Sequence, residues 1–213
     1  PLIALNDSAA CLRCHAGRGI RAHIMCEHET DCDVPAGALG YRCVALDARG
    51  VPAGRLRGTG IPVDPAIASP KDPFEMQRRH RLERPPVVML MGGGLAVERV
   101  EHIVRGLVGR GVSGTLLVVA GRNGKLLAAL PHIEGGPTLS VCGLGLVEYL
   151  DDLVAASEVV ITKAGGLMVS EVMARQTPMI LIDSIPGQEE WNADYLVSVG
   201  AGIQLRLAEM VPV

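Results

Sequence analysis

From residue 87 onward the chain alternates short apolar runs with longer stretches of helical periodicity, and most runs end at glycine or a polar residue. Runs of this kind are typical of strands buried on both faces of a parallel sheet. We predict strands at 87–91, 115–120, 138–141, 159–162, 179–182 and 202–207. We predict helices through 97–108, 126–130, 147–154, 167–175 and 189–199. Regular strand–helix alternation favours an α/β fold with a Rossmann-like, doubly wound parallel sheet.

Right-handed crossovers place the loops that follow the strands at one edge of such a sheet, where ligands bind near the switch in strand order. These loops are 92–94, 121–123, 163–166 and 184–188. Two of them, Gly92-Gly93-Gly94 and Lys163-Ala164-Gly165-Gly166, bring glycines to the start of a predicted helix. Backbone N–H groups and the helix dipole suit a phosphate there, although a tight turn also explains such glycines.

The first glycine loop departs from the common nucleotide fingerprints. A dinucleotide site needs glycine or alanine where Val97 stands. It also needs an acid at the end of the second strand, where Arg122 and Asn123 stand. A Walker A loop needs a Gly-Lys-Ser/Thr sequence, which does not follow. The sequence therefore argues against an NAD site or a Walker-type ATP site.

Three side chains near these loops are candidates for binding a nucleotide sugar. Glu171 lies five residues after Gly166, where its carboxylate can accept two hydrogen bonds from a ribose diol. Gln188 and Glu189 follow a Pro-Gly turn, and an amide beside a carboxylate suits sugar hydroxyls, which both donate and accept. An ordinary first-turn acid and simple helix capping are the competing interpretations.

A set of motifs, ordered and spaced along residues 55–205, carries a family resemblance. The motifs are Thr59-Gly60-Ile61-Pro62-Val63, Met91-Gly92-Gly93-Gly94, Val119-Ala120-Gly121-Arg122-Asn123, Ile161-Thr162-Lys163-Ala164-Gly165-Gly166 and Pro186-Gly187-Gln188-Glu189. They resemble the donor-binding half of glycosyltransferase family 28, and within it the monogalactosyldiacylglycerol synthases and processive diacylglycerol glucosyltransferases.

The resemblance implies a two-domain GT-B enzyme that moves a hexose, with inversion, from a UDP-sugar to a lipid acceptor such as diacylglycerol. It implies that Glu171 holds the ribose and that Gly165 and Gly166 face the diphosphate. Gln188 and Glu189 would form hydrogen bonds with the sugar hydroxyls. The other donor-binding candidates are Gly92, Gly93, Gly94, Arg122, Asn123, Lys163 and Leu167, with Leu146 and Val147 beside the uracil. No metal or other cofactor is obligatory, because helix dipoles and amides meet the charge of the leaving group.

The distribution of the prolines suggests how the chain is divided. Seven of the 14 prolines lie between residues 51 and 86, which predicts linker and loop without a packed helix. We expect residues 1–57 to be an incomplete remnant of the acceptor domain, 58–86 a Pro-rich linker, and 87–213 the donor domain. Because the chain opens with Pro1, we expect it to begin at the cut edge of something longer.

No catalytic base is assigned, since His15, His23 and His28 are candidates by residue type alone. The motif Cys11-Leu12-Arg13-Cys14-His15 matches haem c attachment, and zinc is conceivable with His23, Cys26, His28 and Cys32 nearby. Haem c attachment needs export and the zinc spacing is irregular, so coincidence is favoured. A non-catalytic nucleotide-binding fragment and a UDP-sugar 2-epimerase also remain, although basic Lys163 argues against the epimerase.

Composition restricts the partners. With a net charge of -3 and only 2% aromatic residues, the chain offers neither a general electrostatic grip on nucleic acid nor base-stacking platforms. No apolar run approaches the roughly 18 residues of a membrane-spanning helix. We therefore expect a cytoplasmic protein, and the family resemblance implies that it binds a UDP-hexose and lies peripherally on a membrane surface. The identity of the sugar and the oligomeric state are left open.

Overall fold

The computed structural model describes residues 2–3, 23–24, 63–82, 84–185 and 188–205. The strands are β1 (Leu2–Ile3), β2 (His23–Ile24), β3 (Val87–Met91), β4 (Gly114–Val119), β5 (Leu139–Leu144), β6 (Val159–Thr162), β7 (Met179–Ile182) and β8 (Gly202–Leu205). The helices are α1 (Pro65–Ala68), α2 (Pro73–Arg79), α3 (Val97–Gly109), α4 (Gly124–Ala129), α5 (Leu150–Ala156), α6 (Gly166–Ala174) and α7 (Gln188–Ser198), with a 3-10 turn at Leu130–His132.

Six of the strands form one parallel sheet in the order β5-β4-β3-β6-β7-β8, while β1 pairs with β2. The chain builds the sheet outward from β3 to β5, then returns beside β3 with β6 and continues to β8. The strand order therefore switches between β3 and β6, which is where an open parallel sheet offers a crevice at its carboxyl edge. The predicted doubly wound α/β fold is confirmed.

The central strands are apolar at most positions because helices cover both faces of the sheet. Leu116 packs into the cluster on one face with Leu90, while its neighbour Leu117 packs into the cluster on the other face with Met89. All six residues of β4 are buried. Successive strand residues point to opposite faces, so a strand covered on both sides shows an uninterrupted apolar run.

The predicted bounds of β3, β6 and β7 agree with the structure, whereas β5 extends three residues beyond its predicted end at Val141. Gly143 interrupts the apolar run in that extension. A Cβ added at Gly143 would lie 2.8 Å from the side chain of Leu130, so glycine permits the close approach of the 3-10 turn to this edge strand.

The prediction that residues 51–86 contain no packed helix is wrong for α1 and α2. Pro65 and Pro73 occupy first-turn positions, where the missing N–H costs no hydrogen bond. Asp64 and Asp72 cap these helices by accepting from the N–H groups of the second helical residues, at 2.8 and 2.9 Å. Each proline in these two Asp-Pro pairs therefore starts a helix.

In the described part of the chain, no helix combines the length and the apolar character needed to span a membrane.

Candidate functional site

The two glycine loops predicted to bind phosphate lie side by side at the switch point. Strands β3 and β6 are paired through Leu90 and Ile161, so the loops that follow them leave the sheet together. A Cβ added at Gly94 would lie 3.7 Å from Cδ of Lys163. The aliphatic stem of Lys163 therefore borders the first glycine loop.

Glycines 92–94 serve different purposes. Gly92 is buried, its N–H donates to the carbonyl of Val119 at 2.9 Å, and an added Cβ would lie 2.5 Å from Cδ2 of Leu126. A tight turn packed closely against Leu126 therefore accounts for Gly92 without a ligand. Gly93 and Gly94 are exposed, and their backbone is open to a ligand at this edge.

Asn123 is engaged within the protein. Its side-chain oxygen accepts from the N–H of Leu126 at 3.1 Å and caps α4. Its amide nitrogen donates to the carbonyl of Leu95 at 3.0 Å. Asn123 thus holds the loop after β3 against α4, while its neighbour Arg122 is exposed.

The N-terminus of α6 is the best-formed anion-binding feature at this edge. Gly165 is the N-cap, with φ −66° and ψ 129°, and no side chain of the described residues caps the helix. A Cβ added at Gly165 would meet none of the described atoms within 4 Å. The first N–H groups of a helix need an acceptor, and a phosphate oxygen can supply it.

Asn192 fixes the backbone before α6, a role that the sequence did not indicate. Its side-chain amide is buried in α7 and donates to the carbonyl of Ala164 at 2.8 Å. The hydroxyl of Thr162 donates to the carbonyl of Lys163 at 3.0 Å. The only available signal was an amide one helical turn beyond Gln188, in a helix that begins at the same edge.

Glu171 lies on α6, one turn beyond the glycines, and is half-buried. Burial and, secondarily, the negative charge of Asp151 raise the pKa of its carboxyl group. Among the described residues, no group donates a hydrogen bond to this carboxylate. Its oxygens are therefore available to a ligand such as a diol.

An apolar rim borders the crevice. Leu146 has 69% of its surface exposed after β5, and Leu167 and Ile185 are also exposed. Val147 differs, because it is half-buried and packs against the core. Of the predicted pair at the uracil, Leu146 presents the free apolar surface.

The loop after β7 is held by two side chains. Nε of Arg99 donates to Oδ2 of Asp183 at 3.1 Å, and Asp183 has a φ of +46°. The N–H of Ile185 donates to Oε2 of Glu189 at 2.8 Å. One oxygen of Glu189 therefore already accepts a backbone hydrogen bond from the loop that precedes α7. Gln188 begins α7, while Pro186 and Gly187 lie outside the described residues.

The haem and zinc alternatives are not tested. Cys11, Cys14 and His15 lie outside the described residues, as do Cys26, His28 and Cys32. For His23 the structure describes the backbone in β2.

An open parallel sheet with an uncapped, glycine-flanked helix at its switch point defines the class: an α/β domain of the nucleotide-binding type. Residues 131–212 match the glycosyltransferase family 28 C-terminal domain. The chain thus carries a domain of this family, and the resemblance seen in the sequence motifs is confirmed.

Similar proteins agree with this assignment. The chain is 34% identical over 183 residues to a probable monogalactosyldiacylglycerol synthase, chloroplastic, from Glycine max, covering 81% of this chain and 33% of the relative. It is 30% identical over 155 residues to a processive diacylglycerol beta-glucosyltransferase from Staphylococcus carnosus (strain TM300), covering 72% and 39%. The chain therefore spans between a third and two fifths of these relatives.

Among solved structures, MurG from Acinetobacter baumannii is similar, with a TM-score of 0.55 and 20% identity over 68% of this chain and 43% of that chain. The architecture is that of the GT-B glycosyltransferases, as predicted.

Proposed function

We propose that this chain is the donor-binding part of an inverting glycosyltransferase, which moves a hexose from a UDP-sugar to a lipid acceptor such as diacylglycerol. The observation that carries the proposal is the open N-terminus of α6. Within the described part of the chain, the space above Gly165 is free and no group donates to the carboxylate of Glu171, one turn further on. The names of the relatives support the acceptor class.

Each part of the donor has a matching group in the crevice. The diphosphate lies over Gly165 and Gly166 at the start of α6, facing the exposed backbone of Gly93 and Gly94. The ribose diol donates to Glu171. The remaining donor-binding positions are Leu146 with Val147 at the uracil, Gln188 with Glu189 at the sugar, and Lys163, Arg122 and Leu167 at the rim.

The transfer reaction creates negative charge on the leaving group near the start of α6. The acceptor hydroxyl oxygen forms a bond to the anomeric carbon as the bond from that carbon to the β-phosphate oxygen breaks, and the hydroxyl proton passes to a base. Negative charge then grows on the departing UDP. Preorganised N–H groups and the dipole of α6 stabilise that charge, which is the usual dominant contribution in such a transfer.

The division of the chain follows from this proposal. Residues 87–213 bind the donor, 58–86 connect it to the acceptor side, and 1–57 belong to the acceptor side. Such an enzyme meets its lipid substrate at a membrane surface facing the cytoplasm, where UDP-sugars are available. The helical segment within 58–86 packs against α5, so the connection is structured on the donor side.

The space above Gly165 gives a direct test. Alanine fits the backbone angles and the free volume at Gly165, so Gly165→Ala preserves the fold but places a methyl group where the diphosphate approaches. We expect UDP-hexose affinity, measured by calorimetry, to fall by about 10- to 100-fold through lost charge-assisted hydrogen bonds.

The matched control is Gly109→Ala near the end of α3, where an added Cβ also meets nothing within 4 Å. This variant should bind like the wild type. Unchanged affinity in Gly165→Ala would show that the diphosphate does not lie there.

A further inference from the structure

A network of ionic contacts surrounds the first turn of α5, away from the glycine loops. Lys71 Nζ donates to the carboxylates of both Asp151 and Asp152. Arg79 Nη1 and His80 Nε2 contact Oδ2 of Asp152, at 3.3 and 3.1 Å. The two adjacent carboxylates are thus neutralised by Lys71 and Arg79, which lie more than 70 residues earlier in the chain.

Arg175 ties the same network to α6. Its side chain is 4% exposed, and Nη2 donates to Oδ2 of Asp151 at 2.7 Å. The same guanidinium donates to the carbonyls of Ser69 and Ala66. The segment 65–80 therefore lies across both α5 and α6, and its placement depends on the aspartate pair.

The aspartates are ionised at neutral pH in this arrangement. Burial is the largest single influence and raises the pKa of each, but the hydrogen bonds and charge of Lys71, together with those of Arg175 at Asp151 and the hydrogen bonds of His80 and Arg79 at Asp152, outweigh it. The pKa of Asp151 is lowered and that of Asp152 falls to about 2. Without Lys71, two negative charges would stand beside α6 with less compensation.

This network bears on donor binding through the carboxylate of Glu171. Arg175 follows it by one helical turn, and the N–H of Arg175 donates to the carbonyl of Glu171 at 3.2 Å. Residues in this relation share a helix face. Helices α1 and α5 contact α6, and the buried face of α6 shares a core cluster with the sheet and with α7. The titratable groups on these elements are Asp64, Lys71, Asp151 and Asp152 from α1, α5 and the adjoining segment, and Glu189, Glu190, Asp194 and Tyr195 from α7; Arg175 and Lys163 flank α6 itself.

We propose that Lys71 is a positioning residue for donor binding. By neutralising Asp151 and Asp152 it limits the negative charge beside the Glu171 carboxylate, which accepts from the ribose diol. This inference rests on the proposed function. It means that the segment 65–80, which precedes the sheet, contributes to donor binding although it does not contact the donor. A structural anchor alone would stabilise the fold and leave the ionisation of Glu171 unchanged.

The first test follows the affinity for a UDP-hexose between pH 5 and 8, because its diphosphate lacks the monoester ionisation near pH 6. In Lys71→Met, the loss of affinity on acidification should begin at higher pH than in wild type, by on the order of half a pH unit. Lys71→Arg should restore the wild-type profile. The matched control is Arg110→Met, which removes an exposed cation at the end of α3 and should not move the midpoint.

The second test needs no ligand. NMR titration of the Glu171 carboxyl carbon should give a higher midpoint in Lys71→Met and a lower one in Asp151→Asn, since the first removes a compensating cation and the second removes a negative charge. Opposite shifts are not expected from general loosening of the fold. Should Lys71→Met fail to fold, Lys71→Gln, which also removes the cation, takes its place beside Asp151→Asn.

An unchanged Glu171 midpoint in the variants, or shifts in the same direction, overturns the role of Lys71. If the midpoints move as expected while the wild type shows no affinity for a UDP-hexose, the proposed function fails and the coupling of Lys71 to Glu171 stands.

Discussion

At the scale of single residues, the structure distinguishes glycines that packing requires from glycines that a ligand would use. Gly92 cannot carry a side chain without displacing Leu126, whereas Gly165 has free space where its Cβ would be. Both were predicted from the sequence as phosphate-loop residues, because a string of glycines does not distinguish the two causes. The surrounding atoms distinguish the two causes, because a Cβ at Gly92 would clash with Leu126, whereas a Cβ at Gly165 would clash with none of the described residues.

Glu171 is the side chain on which donor recognition depends most in this account. Glu171→Ala removes two charge-assisted hydrogen bonds to the ribose, each contributing roughly 1.5–3 kcal/mol and less where water replaces them. We expect UDP affinity to fall by about 30- to 150-fold, a net loss of about 2–3 kcal/mol, measured by calorimetry. Glu171→Gln should lose less, because its amide keeps one acceptor and can donate.

A ligand lacking both hydroxyls isolates this contact. 2′,3′-Dideoxy-UDP should bind the wild type weakly and Glu171→Ala about equally weakly. If the Ala variant still discriminates UDP from the dideoxy analogue as well as the wild type does, Glu171 does not hold the ribose.

At the scale of elements, α2 is part of the core that surrounds the six-stranded sheet. Met76 is 3% exposed and packs into the same cluster as Leu153 of α5, while Phe74 on the same helix is 68% exposed. Met76→Ala should lower the free energy of unfolding by about 2–5 kcal/mol, through lost burial and the cavity left behind.

The control for this change is Phe74→Ala, a larger truncation on the same helix, which should stay within about 0.5 kcal/mol of the wild type. Chemical denaturation of both variants measures the difference. Equal stability of the two would mean that α2 does not pack on the sheet domain.

The contact between α2 and α5 also predicts a specific acid sensitivity. Asp152 is buried, which raises its pKa, but Lys71 and His80 bring it down to about 2. An acid with a depressed folded-state pKa stabilises the fold above its unfolded value near 3.9 and loses that contribution as pH falls towards the folded value.

Asp152→Asn should therefore be less stable than wild type by about 2 kcal/mol above pH 5. The gap should close between about pH 4 and pH 2. Asp194→Asn, at an exposed position on α7, should follow the wild-type curve. A gap that persists at pH 2 would contradict the ionic role of Asp152.

The strands were predictable because burial on both faces leaves a continuous apolar run, as in β3 and β6. The helices α1 and α2 were not, because proline was counted as a breaker when it stood at the first helical turn. The contacts of Asn192 with Ala164 and of Lys71 with Asp151 join residues 28 and 80 positions apart. No local pattern contains such pairs, so those residues were missed.

At the scale of the whole molecule, the sheet order determines what the chain can bind. The switch between β3 and β6 brings two glycine loops together, and the helix that starts there carries Glu171. The chain spans about a third of its plant relative. The donor half alone is expected to bind UDP-sugar, while transfer needs the acceptor side and its base as well.

The central claim is that this crevice holds a uridine diphosphate sugar. Calorimetric titration of the 213-residue chain with UDP, a UDP-hexose, NAD and ATP tests it most directly. The account predicts that UDP and the UDP-hexose bind with one-to-one stoichiometry and more tightly than NAD or ATP. It would be contradicted by tighter binding of NAD or ATP than of UDP, or by no heat from either uridine nucleotide at millimolar concentration.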